Sequence, residues 1–172
     1  MIAEAASYLE RIDDLRRLVR ELIHDLPAEA LNWRPIEGVA SHATNSLAVL
    51  ATHSAGAEHF WITEVVGGAP PSRDRKAEFL AQAADSAEIE SILENIGEQS
   101  VEVLAQLGLD DMEETRQVRG RIVPVRWCIL HVIDHTALHL GQMQLTYQLW
   151  AGGDGFPSPR WFERLSSRRE DL

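Results

Sequence analysis

PVRWCILHVIDHTALHLGQMQLTYQLW, residues 124–150, decides the fold class. It runs for seven turns with one interior glycine, Gly141, and no proline after the first position, starting at Pro124 and stopping at Gly152-Gly153. Trp127, Ile129, Leu130, Val132, Ile133, Leu138, Leu140, Met143 and Leu145 make it apolar nearly all round. A helix of that kind is expected at the centre of a helical protein. It also carries His131, His135 and His139 at successive steps of four. Each such step rotates a helix by only about 40°, so neighbours in the series share a face.

Upstream, three segments supply partners for it. Ala5, Tyr8, Ile12, Leu15, Val19, Leu22 and Leu26 alternate steps of three and four, which predicts a helix over 3–26, ended by Pro27. Residues 31–41 hold Trp, Pro and Gly without a period and are expected to be a loop. Asn45 or Ser46 caps a second helix reaching Val66 and stopping at Gly67-Gly68. RKAEFLAQA, 75–83, suggests a short helix. Asp85 with Glu88 resembles a capping box opening a third long helix, on which Ile89, Ile92, Leu93, Ile96, Val103, Leu104 and Leu107 share one side and Gly108 is the stop. Residues 108–122 form a polar connection, and no run alternates as a strand would. The fold class expected is all-α, a four-helix bundle in a single domain, 1–172, with an extended C-terminal tail from 153 wrapping the surface.

Composition narrows the partners. With 27 acidic against 16 basic residues, a formal net charge of −11, nucleic acid is not expected as a partner, nor is an anionic lipid surface. One cysteine, Cys128, excludes an intrachain disulfide. The acidic N-terminus is unlike a secretory signal and no apolar run approaches the roughly 18–20 residues of a membrane span. The expectation is a cytoplasmic protein that meets a small-molecule substrate, a cation or a second copy of itself in a homodimer.

The histidines carry the chemistry. Two imidazoles one helical turn apart can close on a single ion, and spacing leaves open whether the pair is His131 with His135 or His135 with His139. A third ligand must come from another helix, and His53 sits amid apolar residues of the second one. Gly56 and Ala57, three and four residues on, predict an open space beside it. Three histidines with a remaining open position are the layout of a catalytic site rather than a structural one.

Three stretches, LNWRP at 31–35, NSLAVLATHSAGAEHFWI at 45–62 and GRIVPVRWCILHVIDHTALHLGQMQLTYQLW at 120–150, resemble the DinB-like (DinB/YfiT-like) family of metal-binding four-helix proteins. The family pattern has a histidine just before a Gly-Gln pair and another four residues earlier. The resemblance thus implies His135 and His139 as metal ligands, with His53 as the third, and three imidazoles suit zinc, nickel or iron as the divalent metal. Where relatives often have a basic residue after the last histidine, this chain has Leu140, expected to alter the rim of the site. The family also implies an activity: a thiol-dependent S-transferase acting on a low-molecular-weight thiol. A metal-dependent hydrolase and a non-catalytic, stress-associated metal-binding dimer are the alternatives.

Given that ligand set, His131 is expected in the pocket, and Gln142 is a candidate to contact substrate. Asp134 and Glu58 are candidates to orient a ligand imidazole. Cys128, seven residues before His135, is an apolar filler rather than a nucleophile. His24, His42 and His59 are expected to face solvent. Trp33, Trp61, Trp127, Trp150 and Trp161 are expected as core or interface anchors.

Overall fold

The computed structural model describes residues 1–38 and 44–153. His42, Trp161 and the tail from residue 154 onward lie outside the described residues.

Four long elements carry the structure: α1 (Ala3–Ile23), α3 (Leu47–Glu58) continued by a π-helical segment (His59–Val66), α5 (Ser86–Gln106) and α7 (Val125–Trp150). Each packs on two neighbours in the ring α1–α7–α3–α5, which closes the four-helix bundle. Short pieces join them: α2 (Ala28–Asn32), α4 (Arg75–Glu78), α6 (Leu109–Glu113) and an antiparallel hairpin of β1 (Thr115–Val118) and β2 (Arg121–Pro124). Among the described residues no helix is long and apolar enough to cross a membrane.

The helix ends follow local chemistry. Ser46 accepts a hydrogen bond from the Val49 amide to cap α3, and Asp85 accepts one from the Glu88 amide to cap α5. Glu88 reaches back to the Ala84 amide rather than to that of Asp85, so the box is shifted by one residue. α1 stops three residues before Leu26, because Asp25 turns left-handed (φ 56°) and Pro27 follows. The 31–41 loop gives up Leu31 and Asn32 to α2. α5 ends at Gln106, and Gly108 opens α6 instead of closing the long helix, its amide donating to Asp111 Oδ2.

Two expectations fail. The polar connection contains a hairpin, closed by Arg119 and Gly120, both at positive φ (50° and 78°), in the manner of a two-residue type I′ turn. TRQV and RIVP have no alternating apolar face, so periodicity gave no sign of it. Nor is α7 the central helix. Trp127, Leu130, Leu138, Leu145 and Leu149 are 42–62 % exposed along its outer side, and α7 occupies one corner of the bundle like the other three long helices.

The core falls into two apolar clusters. One contains Leu15, Leu22, Leu47, Leu50, Leu93 and Met143; the other contains Ile12, Ile62, Leu104, Met112 and Ile129; Ile133 packs against both. Between their contributions the helices carry buried polar groups: Arg16 on α1, His53 and Glu58 on α3, Ser100 on α5 and Thr136 on α7. Leu140 belongs to the first cluster at 6 % exposure, so it packs inward and does not shape a rim. Cys128 is fully buried in the second, where burial lifts its thiol to about 11; it is the apolar filler expected.

Candidate metal centre

Crossing of α3 and α7 brings His53, His135 and His139 together, with one nitrogen of each lying within 4.8 Å of the others. The ring centroids of His53 lie 4.9 Å from His135 and 5.1 Å from His139. His135 Nε2 and His139 Nε2 face each other at 3.2 Å. Two nitrogens on a tetrahedral ion at about 2.1 Å stand about 3.4 Å apart, so the pair is already at bite distance.

Outer nitrogens decide which lone pair points inward. His53 Nδ1–H donates to Glu78 Oε2 (2.7 Å), and His139 Nδ1–H donates to Gln142 Oε1 (2.8 Å). In a neutral imidazole this leaves Nε2 as the acceptor, free to ligate. His135 Nδ1 is buried and has no hydrogen-bond partner among the described residues. Burial, reinforced by the neighbouring His139, His53 and His131, pushes His135 down to about 3. Burial also lowers His139, partly countered by its bond to Gln142. Both rings are therefore neutral at neutral pH, the form that binds a metal.

Glu78 escaped the sequence reading. It sits on α4, remote from the histidine motifs, and nothing sets it apart among 27 acidic residues. A chain of contacts places it. Glu64, buried on the π-helical segment, accepts from the Ser72 and Arg73 amides and from Ser72 Oγ, fixing the loop before α4. Asp74 caps α4 through the Lys76 and Ala77 amides. Arg73 then grips Glu78 through Nε and a terminal nitrogen (2.6 and 2.8 Å). Burial opposes the charged form of Glu78, but bonds from Arg73 and His53 prevail and hold it down to about 2.

The open space expected at Gly56 does not exist. A Cβ there would stand 2.1 Å from Glu78 Oε1, so the missing side chain admits this carboxylate to His53. Ala57 is buried. The orienting roles considered for Glu58 and Asp134 also fail. Glu58 accepts from Arg16 and Ser100 on the far side of α3, and Asp134 is exposed.

His131 is not one of the grouped histidines. It stacks on Trp127 (4.7 Å, 6° between planes), meets Trp61 edge-on at 5.2 Å and lies 5.6 Å from His135. Trp61 packs against the second apolar cluster, as a core anchor should, and also walls the centre; Trp127 is half-exposed beside it. Of the histidines expected to face solvent, His24 does, bonded to Glu90. His59 is instead mostly covered, its ring held between Gln99 and Ser72 at 2.9 Å each.

A model of the DinB superfamily matches residues 11–143. The chain belongs to the DinB superfamily. Similar solved structures agree on the fold: a conserved protein from Enterococcus faecalis (TM-score 0.69, 15% identity, 88% of this chain and 99% of that one), a DinB-like protein from Bacillus cereus (0.67, 19%, 89% and 95%) and a DinB-like protein from Bacillus subtilis (0.62, 16%, 84% and 92%). No curated protein matches the chain. Membership and the histidine group together support a possible three-histidine metal site in this DinB superfamily chain.

Proposed function

We propose that the chain is a metal-dependent enzyme that holds one divalent cation (zinc, nickel or iron) on His53, His135 and His139 and activates a small thiol for transfer to an electrophile. The observation that carries this reading is the orientation of the imidazoles. Two of the three have their outer nitrogen engaged by a neighbouring side chain, and the inner nitrogens converge. A divalent cation in such a position lowers the pKa of a coordinated thiol or water and so supplies a nucleophile at neutral pH. The chain's own part is to present three converging nitrogens, to hold the His53 and His139 rings in register through Glu78 and Gln142, and to offer no fourth protein ligand among the described residues. An incomplete protein shell favours catalysis over a purely structural site. Cys128, buried and protonated, takes no part in thiol chemistry here. Activation of water for hydrolysis uses the same arrangement and is the second reading.

Elemental analysis is expected to find about one metal per chain, lost in His53→Ala and in His135→Ala. Stoichiometric metal in the double variant would refute the ligand set. Metal-loaded protein, given a panel of bacterial thiols and a chromogenic electrophile, is expected to form conjugate faster than metal-free protein. Equal rates with every thiol would leave hydrolysis as the reading to pursue.

A further inference from the structure

The chain carries a net charge of −11, yet four guanidinium groups gather around one cleft. Its volume is about 510 Å³, within the range of small-molecule sites. Arg73 and Arg75 come to it from α4 and the residues before it, Arg119 and Arg121 from the hairpin, and Phe60, Trp61 and Trp127 supply apolar lining. Arg11, Arg16, Arg17, Arg116 and Arg126 elsewhere each hold a carboxylate. Arg73 holds Glu78. Arg75, Arg119 and Arg121 have no acid partner among the described residues. Arg75 lies over the Phe79 ring at 4.7 Å and Arg119 over Phe60 at 5.8 Å. Arg119 also occupies a left-handed turn position (φ 50°) where Asn or Gly would sit with less strain. Three cations lining one cleft without an acid partner among the described residues, in an otherwise acidic protein, make an electrostatic trap for an anion.

The cleft adjoins the metal centre on both sides. Arg73 comes within 3.4 Å of His53 Nδ1, and the Trp61–Trp127 wall continues through His131 to His135. We propose that this cleft binds a small organic anion, an apolar body bearing a carboxylate or phosphate. Arg75, Arg119 and Arg121 take the charged group, and the body lies against Phe60, Trp61 and Trp127. That the anion is also the substrate rests on the metal-enzyme reading; that it binds does not.

The test uses the full chain, freed of metal by chelation, titrated calorimetrically with phenyl phosphate, phenylacetate and neutral benzyl alcohol. Phenyl phosphate or phenylacetate is expected to bind, benzyl alcohol not, and whichever anion binds identifies its charged group. Arg119→Asn with Arg121→Gln, chosen because Asn tolerates the turn, is expected to weaken binding about tenfold or more, as loss of charged hydrogen bonds does. Arg75→Gln should weaken it similarly. His135→Ala is expected to lose metal but keep the anion, so the two readings fail separately. Absence of binding by both anions, equal binding by benzyl alcohol, or undiminished affinity in both arginine variants would overturn the proposal.

Discussion

Glu58 and Glu78 are both buried carboxylates facing a guanidinium within one bundle, yet only Glu78 touches a histidine. Glu58 bonds Arg16 (2.5 Å) and Ser100 (2.6 Å), tying α1, α3 and α5 together at the level between the two apolar clusters. Glu78 accepts from Arg73 on both oxygens, and its Oε2 also accepts from His53 Nδ1. Each depends on a glycine. A Cβ at Gly97 would stand 2.6 Å from the Arg16 guanidinium, as one at Gly56 would stand 2.1 Å from Glu78. The difference is one of connection: the first carboxylate closes on groups whose work is packing, while the second joins an ion pair to an imidazole of the three-histidine group. A buried ion pair by itself therefore says little about function; what matters is which group receives the remaining lone pair.

The sharpest way to break this contrast is to remove the structural acid. Glu58→Ala leaves the buried Arg16 with Asp13 as its remaining carboxylate and is expected to cost about 3 kcal/mol, read by urea denaturation, with metal stoichiometry unchanged. Loss of metal at unchanged stability would reverse the roles assigned to the two acids.

Next come Glu78→Gln and Gly56→Ala. Each is expected to lower metal affinity about 10–100-fold by freeing the His53 ring, measured by competition with a chromogenic chelator. Gly56→Ala should also lower stability by about 1–2 kcal/mol, since the displaced carboxylate is buried and bonded to Arg73, although alanine favours the helix. A Gly56→Ala protein with unaltered affinity would show that Glu78 does not orient the ligand.

The smallest effect concerns pH. His135 titrates near 3 when folded and near 6.5 when unfolded, so the unfolded state binds more protons between those values and stability falls on acidification. From pH 7 to 5.5 this removes about 1 kcal/mol from the metal-free protein. Glu78, at about 2 against 4.5, acts in the same direction but only below about pH 5. Thermal melts of metal-free His135→Gln should show a shallower slope over pH 7 to 5.5; an equal slope would mean that His135 is not held neutral by burial.

How legible the molecule was in its sequence varies with how local the cause is. The periods of α1 and α5, the Ser46 and Asp85 caps and the unbroken run of α7 are set within a few residues of chain, and each was readable there. Grouping of His53 with His135 and His139 was expected because a four-residue step keeps a face and a family pattern names the partners. Glu78, Arg73 and the hairpin arginines gave no such sign. They lie on short connections without a period, and what matters about them is where the chain brings them.

What the sequence determined by itself was therefore a helical bundle of four long segments with histidines on two of them, because hydrophobic period and capping act at short range. Tertiary structure alone decided that the gap at Gly56 is filled by Glu78 rather than open, that Glu58 belongs to Arg16, and that α7 stands at a corner with leucines outward. It also decided that arginines from α4 and the hairpin converge beside the histidines in an acidic protein. Those outcomes depend on contacts between residues far apart in the chain, and such contacts form only when the helices pack.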